Sequence, residues 1–333
     1  MKEKFIVIGS NCFSGSSYVD YVLRDNPDAE VIGISRSTEY KDFFLPYKEI
    51  DSNRFRFYQL DLNSQIDKIM SLIRDNRPDY IINFAAQGMV AQSWQNPDQW
   101  FRTNCLAIMN LANNLVSENY LKRYVQISSP EVYGSSFGLK EEEASLRPST
   151  PYAASKACGD LSLYPFFLNK GLPLVYTRAT NVYGPYQQLF RIIPRTIIYI
   201  IKKGKKIQLH GGGKAIKSYI HIRDVCDATL KIARDGRNGE VYHISPGNGG
   251  VSIYNLVQMI CRKMDKNPED CVEMVEDRFG QDAEYEIDST KVRKELCWKP
   301  TIDLDKGVSE VIVWIEKYYN ELIETPMDYI HKP

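Results

Sequence analysis

Apolar residues in the first half of the chain arrive in short continuous runs separated by longer, mixed stretches. Phe5-Ile6-Val7-Ile8, Val31-Ile32-Gly33-Ile34, Phe55-Arg56-Phe57-Tyr58, Tyr80-Ile81-Ile82-Asn83-Phe84, Tyr124-Val125-Gln126-Ile127 and Leu174-Val175-Tyr176 read as strands. Most are continuously apolar, as strands covered on both faces are. Between them the stretches 16–25, 64–74 and 99–118 are amphipathic and of helix length. Strand and helix in alternation predict an α/β fold, a doubly wound parallel sheet, because parallel neighbours need a helical crossover that covers the sheet face.

Beyond about Thr180 the pattern loosens into Gly- and Pro-rich loops, with a helix near 192–203, a strand at 207–209, a helix at 224–234 and a strand at Val241–Ile244. This predicts a smaller C-terminal, substrate-binding lobe. Residues 1–180 then form the first domain and 181–333 mainly the second, with 220–245 returning to the first sheet.

Composition narrows the partner. At 333 residues, 43% apolar and 25% charged, the chain has the make-up of a globular protein with a large core. Lysine plus arginine balances aspartate plus glutamate at 42 each, so no global field recruits nucleic acid or an anionic membrane, and a small-molecule partner is expected. The basic run Lys202, Lys203, Lys205 and Lys206, around Gly204, reads as the solvated end of a helix. Seven scattered cysteines without CxxC or Cys/His ligand spacing argue against a disulfide framework or a metal site, and for a reducing, cytoplasmic setting. No apolar run is long enough for a signal-peptide core or a membrane span.

The first strand leads directly into Gly9-Ser10-Asn11-Cys12-Phe13-Ser14-Gly15 and then a helix. A dinucleotide-binding loop of the Rossmann type needs a tight turn, a close approach of backbone to pyrophosphate, and phosphate seated on a helix N-terminus. Gly9 and Gly15 stand where glycines belong for the turn and for helix packing, and Cys12 takes the middle place. There it is either a small residue tolerated by the loop or a reactive thiol whose pKa is lowered at a helix N-terminus. The second strand runs into Ser35-Arg36-Ser37 rather than into the carboxylate that bonds the ribose of NAD. A guanidinium and two hydroxyls suit a 2′-phosphate, so NADP is favoured over NAD.

Tyr152-Ala153-Ala154-Ser155-Lys156 places a phenol and an ammonium one helical turn apart. A tyrosine so placed takes a hydroxyl proton while hydride leaves for nicotinamide, and the lysine cation lowers its pKa toward the working range. Ser149-Thr150-Pro151 caps the start of that helix, and Ser128-Ser129 follows the preceding strand, giving a Ser129, Tyr152, Lys156 triad.

With these motifs the chain resembles the extended short-chain dehydrogenases, whose loop pattern is GxxGxxG. Within that family it is similar to the nucleotide-sugar 4,6-dehydratases of the dTDP-glucose and GDP-mannose types. Ser128-Ser129-Pro130-Glu131-Val132-Tyr133-Gly134 resembles the segment whose hydroxyl, acid and glutamate line the sugar. Ala85-Ala86-Gln87-Gly88-Met89-Val90-Ala91-Gln92-Ser93-Trp94 resembles the GDP-mannose type. Arg178-Ala179-Thr180-Asn181-Val182-Tyr183-Gly184-Pro185-Tyr186-Gln187, Asp277-Arg278-Phe279-Gly280-Gln281-Asp282, and Ile287 through Leu296 are closer to the dTDP-glucose type.

The resemblance implies several roles. Asp61 and Leu62 meet the adenine, and Ala85, Ala86 and Gln87 lie beside the cofactor. Asn181, Arg278 and Lys217 hold the substrate diphosphate, with Lys217 standing where relatives carry arginine, and Gln87, Ser129 and Arg195 also face the substrate. It further implies oxidation at carbon 4 of the sugar, removal of the carbon-5 proton by Glu131, loss of water and hydride return to carbon 6. The acid that precedes the glutamate in the dTDP-glucose type is here Pro130, so Glu131 serves as base and then acid or the reaction is another. A nucleotide-sugar 4-epimerase or 4-ketoreductase, and a non-catalytic cofactor-binding sensor, are the alternatives. A homodimer is expected from helices 99–118 and 152–168, on the apolar Leu106, Met109, Leu111 and Leu115.

Overall fold

The computed structural model describes residues 2–50, 53–202, 205–247, 249–276 and 285–332. Seven parallel strands form its main sheet: β1 (Lys4–Ile8), β2 (Glu30–Ser35), β3 (Phe55–Gln59), β4 (Tyr80–Asn83), β5 (Arg123–Ile127), β6 (Leu174–Ala179) and β7 (Val241–Ile244). Their spatial order is β3-β2-β1-β4-β5-β6-β7, reversing direction about β1.

Successive side chains of a strand point to opposite faces, and here both faces are apolar. Phe5, Val7, Val31, Ile82, Val125, Val175 and Tyr242 pack on one side against α1 (Phe13–Asp25) and α6 (Ile222–Asp235). Ile6, Ile8, Ile34, Ile81, Tyr124, Leu174 and Tyr176 pack on the other. That second layer contains α2 (Ile66–Asn76), α3 (a helical run over 97–115) and α4 (Pro151–Lys170). Burying one such side chain fully is worth about 1.5–3 kcal/mol, so this alternation drives the double winding.

The differences from the expected elements have local causes. α1 starts at Phe13 because the Cys12 side chain, not a later serine, caps it. The run 97–115 is interrupted by a π-helical stretch, Arg102–Ala107. β6 continues past Tyr176 to Ala179, where Thr177 and Arg178 are polar yet buried, so hydrophobicity alone ended the strand too soon.

A second layered body follows, with α5 (Ile192–Ile201), α7 (Ile253–Lys263) and α8 (Leu304–Lys317) around Ile193, Ile197, Leu256, Ile260, Val308 and Val311. It is joined to the sheet by the strand Asn181–Tyr183, which continues from β6 and pairs with Tyr219–His221. Lys203 and Gly204 of the basic run lie outside the described residues. Among the described residues no helix is long and apolar enough to cross a membrane.

Candidate active site at the C-terminal edge of the sheet

The carboxyl ends of β1, β4, β5 and β6 open into a cleft of about 1270 Å³. It lies at the reversal of strand order, the place where open parallel sheets bind ligands.

The loop after β1 shows which glycines the turn demands. Gly9 has φ +84°, and a Cβ there would sit 2.6 Å from the Ala85 nitrogen. A Cβ on Gly15 would sit 2.3 Å from the Gly9 carbonyl oxygen. Cys12 needs no such freedom: its φ is −83° and its Sγ accepts the Gly15 amide at 3.3 Å, as an N-cap side chain does. Burial pushes its thiol up, the reverse of an activated cysteine, in keeping with a small residue that the loop tolerates and that here caps the helix. Cys12, Phe13 and Ser14 line the cleft, which places the positive end of α1 on its wall. This turn fits the pyrophosphate of a dinucleotide, with backbone amides and helix dipole as its anion site.

The adenosine end is more self-engaged than the sequence suggests. Asn11 is buried and spends its side chain on the loop after β2, donating to the Thr38 carbonyl at 2.5 Å and accepting the Tyr40 amide at 2.8 Å. The Ser35 hydroxyl accepts the Asn11 amide at 3.0 Å, and Ser37 follows on the same loop. Arg36 donates to the Gln87 side-chain oxygen at 3.1 Å and to the Lys332 carbonyl at 2.8 Å. Gln87 is buried and does not line the cleft, whereas Ala86 does and Ala85 abuts Gly9. Leu62 is buried under the sheet, and Asp61 accepts the Asn63 amide at 2.9 Å.

The candidate catalytic residues meet in the same cleft. Thr150 caps α4 through its hydroxyl, with Pro151 at the first helical position, and the Tyr152 amide donates to the Ser93 hydroxyl at 3.1 Å. Tyr152, Lys156, Ser129 and Glu131 all line the cleft. Ser129 caps the short turn Pro130–Tyr133 by accepting the Glu131 amide at 3.3 Å, which holds the glutamate beside the phenol. Burial first, and then the Glu131 charge, push the Tyr152 hydroxyl up, while a hydrogen bond with Ser129 and the Arg191 guanidinium pull it down. Lys156, expected to do the pulling, instead donates to the Ile127 carbonyl at 2.7 Å, and burial lowers its ammonium to about 8.

The cleft has a cationic lining although the chain is neutral. Arg191, Arg195, Lys205, Lys206 and Lys214 line it. Lys205 and Lys206, read from sequence as a solvated helix end, are therefore at the mouth of the site. Asn181 lines the cleft with its amide donating to the Ser218 carbonyl at 3.2 Å. Arg195 donates to the Met327 carbonyl at 2.6 Å and to Asp328 at 2.8 Å. Lys217 is in the short strand Ile216–Lys217 and is not among the lining residues. Arg278, with the rest of 277–282, lies outside the described residues.

A family model described as GDP-mannose 4,6 dehydratase matches residues 6–311. The chain belongs to the extended short-chain dehydrogenase family of nucleotide-sugar dehydratases and epimerases. It is 33% identical over 319 residues to the dTDP-glucose 4,6-dehydratase of Streptomyces niveus, spanning 93% of this chain and 92% of that protein. It is 28% identical over 335 residues to the Neisseria meningitidis enzyme of the same name, spanning 94% and 93%. DesIV, the dTDP-glucose 4,6-dehydratase of Streptomyces venezuelae, solved with NAD and TYD bound, superposes with a TM-score of 0.87 at 28% identity, covering 96% of this chain and 98% of that one. A UDP-glucose 4-epimerase from Thermotoga maritima shares the fold at TM-score 0.83 and 23% identity.

In this family member four residues bearing on the site escaped the sequence reading. Arg191 gave no signal beyond its charge, since its approach to Tyr152 depends on where α5 docks. Asn104, in the π-helical stretch, donates to the Gln87 carbonyl at 3.0 Å and to the Ser155 hydroxyl at 2.9 Å, linking the loop after β4 to α4. Asp160 and Arg178 form a buried ion pair at 2.6 Å beneath Lys156. A carboxylate on the Tyr152–Lys156 face of α4 and an arginine within an apolar strand were the available signals. Because the turn leaves no room at Gly15, Gly15→Ala is expected to weaken dinucleotide binding by at least about tenfold. Calorimetry with NAD and NADP checks this, and unchanged affinity would contradict the role assigned to the turn.

Proposed function

We propose that the chain is a nucleotide-sugar 4,6-dehydratase, a lyase that uses a nicotinamide dinucleotide within each turnover. The observation that carries this reading is Glu131, a carboxylate on the cleft wall close enough to raise the Tyr152 phenol. An epimerase acting only at carbon 4 has no proton for such a group to remove.

A nicotinamide dinucleotide, held at the turn of Gly9 and Gly15 and the N-terminus of α1, would supply the hydride acceptor for carbon 4 of the sugar and the hydride donor for carbon 6. Tyr152 takes the proton of the carbon-4 hydroxyl, with Ser129 sharing a hydrogen bond to the phenol. The resulting ketone acidifies carbon 5, and Glu131 removes that proton. Pro130 carries no proton to donate, so Glu131 returns the same proton to the departing carbon-6 hydroxyl and water leaves. Hydride addition at carbon 6 would then leave an enolate that takes a proton at carbon 5 from solvent by way of Glu131, while Tyr152 gives up to solvent the proton it took from the carbon-4 hydroxyl. Lys156 holds positive charge under the site, and Arg191, Arg195 and Asn181 suit the diphosphate of the substrate by charge and hydrogen bonding. Residues 1–180 with 220–245 serve as the cofactor domain, and the remainder of 181–333 as the substrate lobe.

NADP is preferred over NAD in this reading. β2 ends at Ser35 without a carboxylate, and Arg36 is the next residue. The chain works as a homodimer. Leu106, Leu161, Tyr164 and Leu168 are 52%, 62%, 46% and 64% exposed on α3 and α4, a large apolar face for one subunit. Leu111 and Leu115, expected on that face, are buried in the core, so Leu106 and Met109 carry the α3 side. Its seven free thiols suit a cytoplasmic setting.

Three expectations follow from these assignments. Tyr152→Phe abolishes the first oxidation, whereas Glu131→Gln permits it but lowers formation of the 6-deoxy-4-keto product by about 100- to 10,000-fold. Proton NMR of the product methyl group and nicotinamide absorbance separate the two, and near-normal product from the glutamine variant would overturn the dehydratase reading. Arg36→Asp reverses the NADP preference, measured by calorimetry, and equal affinities in the unaltered protein would count against it. Leu161→Asp, which buries a charge if the face is paired, shifts the mass measured by light scattering from dimer to monomer. A monomeric unaltered protein at micromolar concentration would refute the dimer.

A further inference from the structure

Residues 327–332 lack regular structure, yet almost every one is tied down, and the ties bridge the two sides of the site. On the substrate side, the Met327 carbonyl and the Asp328 carboxylate accept from Arg195 at 2.6 and 2.8 Å, and the Tyr329 ring meets Phe190 edge-on at 5.4 Å. On the cofactor side, His331 stacks on Trp100 at 5.1 Å and 6° and bonds the Gln99 side chain at 2.6 Å. The Lys332 carbonyl accepts from Arg36 at 2.8 Å and from Gln87 at 2.7 Å, and the Lys332 ammonium lies 5.6 Å over the Tyr40 ring. Within six residues the segment passes from α5 to the loops after β2 and β4.

We propose that this segment is a strap belonging to the dinucleotide site: it positions Arg36 for the adenosine phosphate and retards release of the bound dinucleotide. The inference rests on the dehydratase reading above and deepens it. Three observations support it. First, Arg36 shares its acceptor with Gln87, so one carbonyl aligns a guanidinium and an amide that a flexible arginine would otherwise lose entropy to align. Second, the strap is anchored at Arg195 on the cleft lining and at Trp100 beside the loop after β4, so its release requires breaking contacts at both places together. Third, the chemistry suits retention. Hydride taken from carbon 4 returns to carbon 6 of the same sugar, so the dinucleotide ends each turnover as it began and need not exchange. The sugar nucleotide must.

The ties are individually weak. The Asp328 side chain is 88% exposed, and an exposed ion pair contributes little alone. The effect expected from the whole strap is therefore moderate: about a tenfold change, which corresponds to the preorganisation of one or two side chains. Two variants test it, a chain ending after Thr325 and His331→Ala, which keeps the backbone but removes the stack on Trp100. Stopped-flow displacement of NADPH and NADH from each is compared with the full chain, with melting temperature as a control on folding. The truncated protein is expected to release NADPH about tenfold faster, with a matching fall in the NADPH-to-NADH affinity ratio, and His331→Ala to release it severalfold faster.

Release rates within twofold of the full chain in both variants would overturn the proposal. If the truncated chain does not fold, unchanged release from His331→Ala alone overturns it. Failure of the underlying reading looks different. A full-length chain that binds neither dinucleotide, or makes no 6-deoxy-4-keto product, removes the function assignment. A full-length chain that prefers NADH removes the NADP preference and the Arg36 role with it, while NADH release from the variants still decides retention.

Discussion

The Asp160 carboxylate accepts from the Ser128 hydroxyl at 2.6 Å and from the Arg178 guanidinium at 2.6 Å, so a single group 5% exposed joins α4 to the ends of β5 and β6. Lys156 and Tyr152 stand one and two turns before it on the same helix. Their depth in the cleft is therefore set by where Asp160 is held. Arg178 extends the connection to the Tyr133 hydroxyl, which bonds His243 of β7 at 2.7 Å. Burial lowers His243 to about 3, so the ring is neutral, and its Nδ1 meets the Asp288 carbonyl at 3.2 Å. Removing one member of a buried pair typically costs about 3–5 kcal/mol, because the other charge is left uncompensated. The same carboxylate is the strongest group keeping Lys156 charged against its burial.

Close contact supplies the second constraint. Gly159 on α4 has no Cβ because one would lie 2.1 Å from the Asn104 carbonyl oxygen of α3. That approach lets Asn104 reach both Gln87 and Ser155, so the loop after β4 and the helix that carries Tyr152 and Lys156 share one clamp. Gly9 and Gly15 do the equivalent work between the loop after β1 and its neighbours. Placement of the reacting atoms thus follows from backbone contacts that tolerate no added atom, which is how a loop-built site acquires the rigidity that catalysis by positioning needs.

The electrostatics of the site are local. A chain with no net charge gathers Arg191, Arg195, Lys205, Lys206 and Lys214 in the lining of the cleft that also holds Glu131. Such a lining attracts anions, and the carboxylate repels them in its own neighbourhood. Low-dielectric walls strengthen both effects relative to water.

Apolar runs of strand length, helical stretches between them, glycines at both ends of a loop, and a tyrosine and lysine one turn apart were all legible in the sequence, because each is a short-range pattern set by backbone geometry. The parallel sheet and the Tyr152 and Lys156 pair were read from residues a few positions apart, whereas the Cys12 substitution and the role of Glu131 came from the resemblance to the extended short-chain dehydrogenases. What only the tertiary structure decided involves residues far apart in the chain: Asp160 with Arg178, Arg191 near Tyr152, Asn104 beneath Gln87, Lys332 on Arg36, and Lys217 off the cleft wall. A charge in a linear sequence has no distance to any other charge. Until the helices dock and the strap crosses, an arginine in an apolar strand and a lysine after a helix carry the same information as any solvated side chain.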